Sequence, residues 1–304
     1  MNQRIIEITD MQAHLSLHKG FLKVSIKNGK EYEIPLYDIC GIISNSYSIT
    51  YSSSLLVKLA ELNISFIICG TNHSPQAFLW PVETHSLMAG KIDNQINTRK
   101  SFYEKLWQDI IQIKIYNQSV CLKNLNKEDK LLKSLIKKVI IGDRSNIEAQ
   151  AAKIYWNTLF GDNFIRDKNG EGINTLLNYG YTILRSGIAR SIMGAGLHPA
   201  IGIFHKNKYN SMRLADDLME PFRPIVDYFV YKIIEKEQYD LTADVKNQLV
   251  NILYLDLDGP RGRSPVINRM QSLSYSYAYS LEILKKNLDL PILKESDLHN
   301  EIIQ

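Results

Sequence analysis

"TRKSFYEKLWQDIIQIKIYNQSVCLKNL", residues 98–125, carries apolar side chains at a 3.6-residue period. That period predicts an amphipathic helix, and "EDKLLKSLIKKVI" repeats it just downstream. Almost no strand-like alternation follows, so residues 89–304 are expected to form a mainly α-helical domain. Towards the amino terminus the texture changes. "RIIEIT", "HLSLH", "FLKVSI" and "EYEIPL" alternate or are β-branched, and "HKG" and "KNGKE" interrupt them, which predicts strands joined by tight turns. Within that region "SSSLLVKLAELN" places Leu55, Leu56, Leu59 and Leu62 at helical spacing behind a serine cap, and it runs into the apolar strand "ISFIICG". The expected fold class is therefore α+β. A small β-rich domain over residues 1–88, with one helix on its sheet, precedes a larger helical domain over 89–304.

Composition narrows the function classes without choosing among them. The 304 residues are 45% hydrophobic, enough to bury two ordinary cores, and the formal net charge of +4 tolerates a polyanionic partner without demanding one. Cys40, Cys69 and Cys121 are far apart and form no C-x-x-C pair, which suits buried thiols in a reducing compartment rather than a disulfide framework. The opening "MNQRIIEITD" lacks the basic-then-apolar order of a signal peptide, and no apolar run reaches the roughly 20 residues that span a bilayer. A cytoplasmic protein with no membrane partner is expected. No glycine-rich phosphate loop, H-E-x-x-H or G-x-S-x-G motif occurs. "GPRGRSP", residues 259–265, is a basic loop whose two arginines are able to touch phosphate, though an ordinary basic loop is the better reading.

One stretch crowds ionisable groups unusually. "HKNKYNSMRLADDLMEPFRP", residues 205–224, holds a histidine, three carboxylates and two arginines. With Ser211 as a helix cap, Asp216, Asp217 and Glu220 approach one helix face and repel. Ion pairs with Arg213 and Arg223 explain the crowding by structure alone. A hard divalent cation explains it by function, because Mg²⁺ and Mn²⁺ prefer carboxylate oxygens and water. His205, at the end of "AIGIF", can fold back onto that face; His198, in a helix-stop loop, is the weaker candidate. Pro221 and Pro224 end or kink the helix.

Further upstream, "DRSNIEAQAAKIYWNTLFG" places Ser145 and Glu148 at the spacing of a capping box, ahead of a helix with Ile147, Ala151 and Ile154 on its apolar side. Glu148 thereby has a structural role, and spacing does not bring it to His205. "INTLLNYGYTILRSGIARSIMGAG" reads as a helix from about Ile173 to Met193. Tyr179 and Tyr181 suit core packing, while Arg185 and Arg190 suit either a phosphate or the helix dipole.

Taken in order, "IEAQAAKIYW", "LNYGY", "IGIFH" and "LADDLMEPFRPIVD" resemble the CRISPR-associated protein 1 family, the spacer integrases of CRISPR adaptation. "YWNTLFGDNFIRD" is most like the subfamily that accompanies type II systems. The resemblance covers the whole chain and implies a β-rich amino-terminal domain for dimerisation and partner contacts, followed by a helical catalytic domain. It also implies that Glu148, His205 and Glu220 are the metal-binding and catalytic triad, with Asp217 an acidic residue beside the metal. Ala149 stands where many relatives have glycine, and His198 where other side chains are common; neither removes a ligand.

The implied chemistry is transesterification, in which a DNA 3′ hydroxyl attacks a phosphodiester while Mg²⁺ or Mn²⁺ polarises the phosphoryl oxygen. A set mixing histidine with carboxylates suits Mn²⁺ at least as well as Mg²⁺. The implied substrates are short duplex DNA and a CRISPR repeat. The implied assembly is a homodimer that joins CRISPR-associated protein 2 in a heterohexameric adaptation complex, with the type II effector nuclease as a further partner. Two alternatives stand beside it: a metal-dependent nuclease of branched or single-stranded DNA that does not join, and a non-catalytic DNA-binding scaffold.

Overall fold

The computed structural model describes residues 4–9, 12–27, 29–46, 48–62, 64–70, 75–79, 88–260 and 262–298. The chain divides into two compact units, Met1–Met88 and Ala89–Gln304.

The first unit holds β1 (Arg4–Ile8), β2 (Ala13–His18), β3 (Phe21–Ile26), β4 (Glu31–Pro35), β5 (Ile39–Ser44), β6 (Thr50–Tyr51), α1 (Ser53–Glu61), β7 (Ser65–Cys69) and β8 (Pro75–Phe78). They form two four-stranded sheets, ordered β1-β5-β7-β8 and β4-β3-β2-β6. The tight turns are where the glycines place them: Lys19 and Gly20 take positive φ values of 47° and 87° between β2 and β3, and Gly29 takes 84° between β3 and β4. The other sheet differs from a chain of tight turns. β1, β5 and β7 run parallel, with Ile6 opposite Ile42 and Ile42 opposite Phe66. Ser52 caps α1 by accepting the Leu55 N–H at 3.3 Å. Leu55 and Leu59 from that helix, Leu15 and Leu22 from one sheet and Ile42 from the other are completely buried in a common core.

The second unit consists of α2 (Met88–Asn97), α3 (Lys100–Asn124), α4 (Lys130–Ile136), α5 (Ile147–Phe160), α6 (Ile173–Gly194), α7 (Arg213–Leu218), α8 (Arg223–Ile234), α9 (Ala243–Asn251), the short strands β9 (Asp256–Leu257) and β10 (Ser264–Pro265), and α10 (Val266–Ile283). α3 packs against α4, α5 and α8, while α6 packs against α7, α8, α9 and α10. Two glycines on α6 permit that crowding. A Cβ on Gly180 would lie 2.5 Å from Val226 of α8, and one on Gly187 would lie 2.7 Å from Met270 of α10. Between β9 and β10, Arg263 is paired with carboxylates: its Nη1 lies 2.7 Å from Asp297 and 3.5 Å from Asp258. Arg261 lies outside the described residues. Among the described residues no helix is long and apolar enough to cross a membrane.

Candidate active site

α3 supplies the centre of the site. Its buried side includes Ile110, Ile111, Lys114, Ile115 and Gln118, so a lysine occupies a position that the helical period assigns to the core. The Lys114 Nζ lies 2.6 Å from Glu148 Oε1 and 2.6 Å from Glu220 Oε2. Burial alone would pull the ammonium down, but Glu220 and Glu148 together outweigh it and hold it above its ordinary value. Lys114 carries its charge between two carboxylates that are far apart in the chain.

Glu148 reaches this point from the first turn of α5. The capping box with Ser145 does not form. Asn146 flanks the helix in the left-handed region, at φ 50°, without a side-chain cap. Asp143 caps the helix instead: its Oδ1 accepts the Ile147 N–H at 2.9 Å and its Oδ2 accepts the Glu148 N–H at 2.9 Å. Positive φ at Asp143 and Asn146 coils the entry so that Asp143, not Ser145, faces the unpaired amides. With its backbone served by Asp143, the Glu148 side chain is free to meet Lys114.

Glu220 lies on a 3₁₀ turn, Glu220–Phe222, where Pro221 and Pro224 interrupt α7 and restart the chain as α8. Asn117, one turn along α3 from Lys114, donates to the Pro221 carbonyl at 2.8 Å and fixes that turn. Arg223 Nε donates to Glu220 Oε1 at 2.8 Å. Oε2 is buried, and the Lys114 ammonium at 2.6 Å is its counter-charge. Burial opposes ionisation here, yet Arg223 and Lys114 prevail and hold the Glu220 carboxyl down at about 2. Arg223 in turn lies over the Tyr181 ring, 4.6 Å from its centroid. Tyr181 donates its hydroxyl to the buried Asp227, as does Tyr155 at 3.0 Å. Tyr181 is thus a packed residue with a polar task.

His205 is oriented from behind by Asp217. The His205 Nδ1 lies 2.5 Å from Asp217 Oδ1, and Asp217 Oδ2 accepts the N–H groups of Ile203 at 2.6 Å and Phe204 at 3.0 Å. Asp217 is fully buried and engaged on both oxygens, so it fixes the turn and the imidazole. A carboxylate at Nδ1 sets the tautomer with Nδ1–H donating, which leaves Nε2 as the ligating atom of the neutral ring. The hydrogen bond to Asp217, against the effect of burial, raises His205 above its ordinary value. Trp107 meets the imidazole edge-on, with centroids 5.9 Å apart, and stacks on Phe204 at 4.5 Å.

The three carboxylates expected on one helix face therefore part company. Asp216 accepts from Arg185 at 2.8 and 3.0 Å and from Asn210 at 2.7 Å; Asp217 turns to His205; only Glu220 faces Glu148. Neither of the simpler expectations at this helix start is met. Asn210, not Ser211, accepts the Met212 N–H, at 2.9 Å, and Arg213 leaves its buried Nε without a hydrogen-bond partner instead of pairing with Asp217. His198 is taken up in loop structure, with its N–H donating to Gln95 at 2.7 Å. Among the described residues no three His, Cys, Asp or Glu side chains lie close enough together to hold a metal ion. What the chain does hold between Glu148 and Glu220 is a cation of its own, the Lys114 ammonium. Two carboxylates that already converge on a cation are donors of the kind that suit Mg²⁺ or Mn²⁺, and His205, whose charge Glu220 favours, is a nitrogen donor.

Spacing arguments did not find Lys114, Asp143 or Asp227. Lys114 had a signal, a charge on the apolar face of a long helix; the other two depend on backbone turns and helix crossings that no local period encodes. Beside His205 opens a cavity of about 900 Å³ whose lining includes Trp107, Arg144, Phe204, Lys206 and Arg213.

Comparison with known proteins adds to this geometry. Residues 6–261 match the family model described as CRISPR associated protein Cas1. The CRISPR-associated endonuclease Cas1 of Neisseria meningitidis is 33% identical over 247 residues, covering 80% of this chain and 81% of that protein. The Cas1 endonuclease of Francisella tularensis subsp. novicida is 28% identical, covering 86% and 88%. Among solved structures, a casposase bound to integration product aligns with a TM-score of 0.79 at 20% identity, over 99% of this chain and 96% of that one. A Cas1 protein from Thermotoga maritima aligns at 0.73 and 17% identity, over 94% and 99%. A Cas6-RT-Cas1–Cas2 complex aligns at 0.75 and 16% identity, over 96% of this chain and 36% of that one.

Proposed function

The chain belongs to the Cas1 family of CRISPR-associated proteins, a family of endonucleases and integrases, and from that membership we propose that it inserts short duplex DNA into a CRISPR repeat array. The observation that carries the reading is the meeting of Glu148 and Glu220, from α5 and from the turn after α7, around one buried cation position. Glu148, Glu220 and the His205 Nε2 would hold Mg²⁺ or Mn²⁺, which when bound polarises a phosphoryl oxygen and favours a deprotonated 3′ hydroxyl. Asp217 keeps the imidazole in its ligating tautomer, and Arg223 keeps Glu220 ionised. Lys206 and Arg144, on the cavity wall, offer charge to the DNA backbone.

In this proposal the working unit is a homodimer on a Cas2-like partner, in a heterohexamer that also meets the type II effector nuclease. Support for the DNA and Cas2 partners comes from the structural relatives, a casposase bound to integration product and a Cas6-RT-Cas1–Cas2 complex. The test is a joining assay. A labelled duplex with free 3′ hydroxyls is mixed with the protein, its Cas2 partner and a supercoiled plasmid bearing the repeat. Covalent transfer of label in Mn²⁺ or Mg²⁺, and none in EDTA, is the expected result. Cleavage without transfer would make the protein a nuclease, and DNA binding without either would make it a scaffold.

A further inference from the structure

The position of Lys114 points to a role beyond pairing charges: we infer that its ammonium is a resident competitor for the cation position between Glu148 and Glu220, so that a divalent ion enters only by displacing it. The inference rests on the proposed metal site. Lys114 Nζ lies 2.6 Å from one oxygen of each carboxylate. An ion bound to those same oxygens at about 2.0–2.1 Å would have to occupy nearly the same point, and two cations cannot share it. On Glu220 the other oxygen offers little escape, since Oε1 is held by Arg223.

Two properties suit Lys114 to this task. Its carboxylates are otherwise like charges converging in one place, and an ammonium between them offsets their repulsion and keeps the pocket assembled before any ion arrives. Its head sits on a flexible four-carbon stem, so it can withdraw while α3, buried along most of its length, stays in place. An arginine would not serve equally well, because its planar fork would hold the carboxylates in one fixed geometry.

The experiment measures Mn²⁺ binding to the full chain without DNA, by the loss of free-Mn²⁺ spin resonance signal, and records melting temperatures in EDTA and in Mn²⁺. Lys114→Met removes the charge at nearly constant length. Relative to wild type it is expected to melt lower in EDTA, to gain more from added Mn²⁺, and to bind Mn²⁺ tighter by about tenfold or more, as loss of a buried competing charge requires. Lys114→Arg keeps the charge and is expected to bind Mn²⁺ no better than wild type. Equal or weaker Mn²⁺ affinity in Lys114→Met, with wild type binding normally, overturns the inference and makes Lys114 a permanent structural counter-ion. Should Lys114→Met fold only with Mn²⁺ present, its affinity is read by chelator competition from the loaded state, with the same tenfold expectation. Glu148→Gln separates the inference from its foundation: Mn²⁺ binding that survives this change in wild type places the ion elsewhere, and the site itself falls together with the role of Lys114.

Discussion

Asp143 and Glu148 divide two tasks at the start of α5 that their spacing does not separate. Asp143 satisfies the Ile147 and Glu148 amides, and the Glu148 carboxylate is left for Lys114. Replacing Asp143 with alanine should therefore cost about 0.5–2 kcal/mol, the usual loss for a helix cap, and Ser145→Ala should cost almost nothing; urea denaturation of both variants checks the order. Equal losses, or a larger one at Ser145, would contradict the observed cap. Glu148→Gln leaves the backbone N–H to Asp143 untouched but removes one of the two charges paired with Lys114, so it should fold and melt somewhat below wild type; an amide oxygen is also a poor ligand for a hard cation, and strand transfer should be lost. A Gln variant that joins DNA at the wild-type rate would return Glu148 to a purely structural role. The S-x-x-E pattern does mark a helix start, and α5 begins at Ile147. Which side chain caps it depends on left-handed backbone at Asp143 and Asn146, and neither residue type announces that conformation by itself. Lys114 was more legible, since a lysine among Ile110, Ile111 and Ile115 needs a buried partner.

Asp227 ties three helices together, accepting from Tyr155 of α5 and Tyr181 of α6 while sitting on α8. Burial, against those two hydroxyls and the pull of Arg223 and Arg166, pushes its carboxyl up to about 7 from an ordinary 3.8. A folded-state value above the unfolded one means that Asp227 supports folding fully below about 3.8. That support declines as pH rises and is gone above about 7. The neighbouring groups do not titrate in that window, because burial pushes the Tyr155 and Tyr181 hydroxyls and the Cys121 thiol upwards. Asp227→Asn removes the titration and mismatches one hydroxyl at every pH. Its melting temperature relative to wild type should rise between pH 5 and pH 8, whatever its absolute level, and a difference independent of pH would refute the buried neutral acid. At this scale the helices were legible because each repeats its apolar period locally. The parallel pairing of β5 between β1 and β7 was not, since residues such as Ile42 and Phe66 meet only through a long connection. A run of apolar residues does not name its partner.

Across the whole chain, 36 basic residues against 32 acidic ones leave a net charge of only +4, too little to attract DNA by overall charge. The order of the fold, sheets and then helices, was legible in the change of period from two to 3.6. Convergence of the site was not, because its residues lie on α3, α5 and the turn before α8 and meet only after the helices pack. If the chain binds DNA, attraction must come from local clusters, and the turn after His205 offers one. Lys206 and Lys208 are exposed there, Lys208 lies over the Tyr209 ring at 4.9 Å, and Lys206 lines the cavity beside His205. Each lysine that neutralises a phosphate releases a counterion and adds about 0.9 to the slope of log affinity against log salt. Replacing both with alanine should weaken duplex binding most at low salt and lower that slope by about 1.8, with the same change for unrelated DNA sequences, because phosphate contacts carry no base information. The measurement is a fluorescence-anisotropy titration from about 50 to 200 mM salt. An unchanged slope would remove this turn from the DNA path and shift the phosphate contacts towards other basic groups on the cavity wall, such as Arg144 and Lys100.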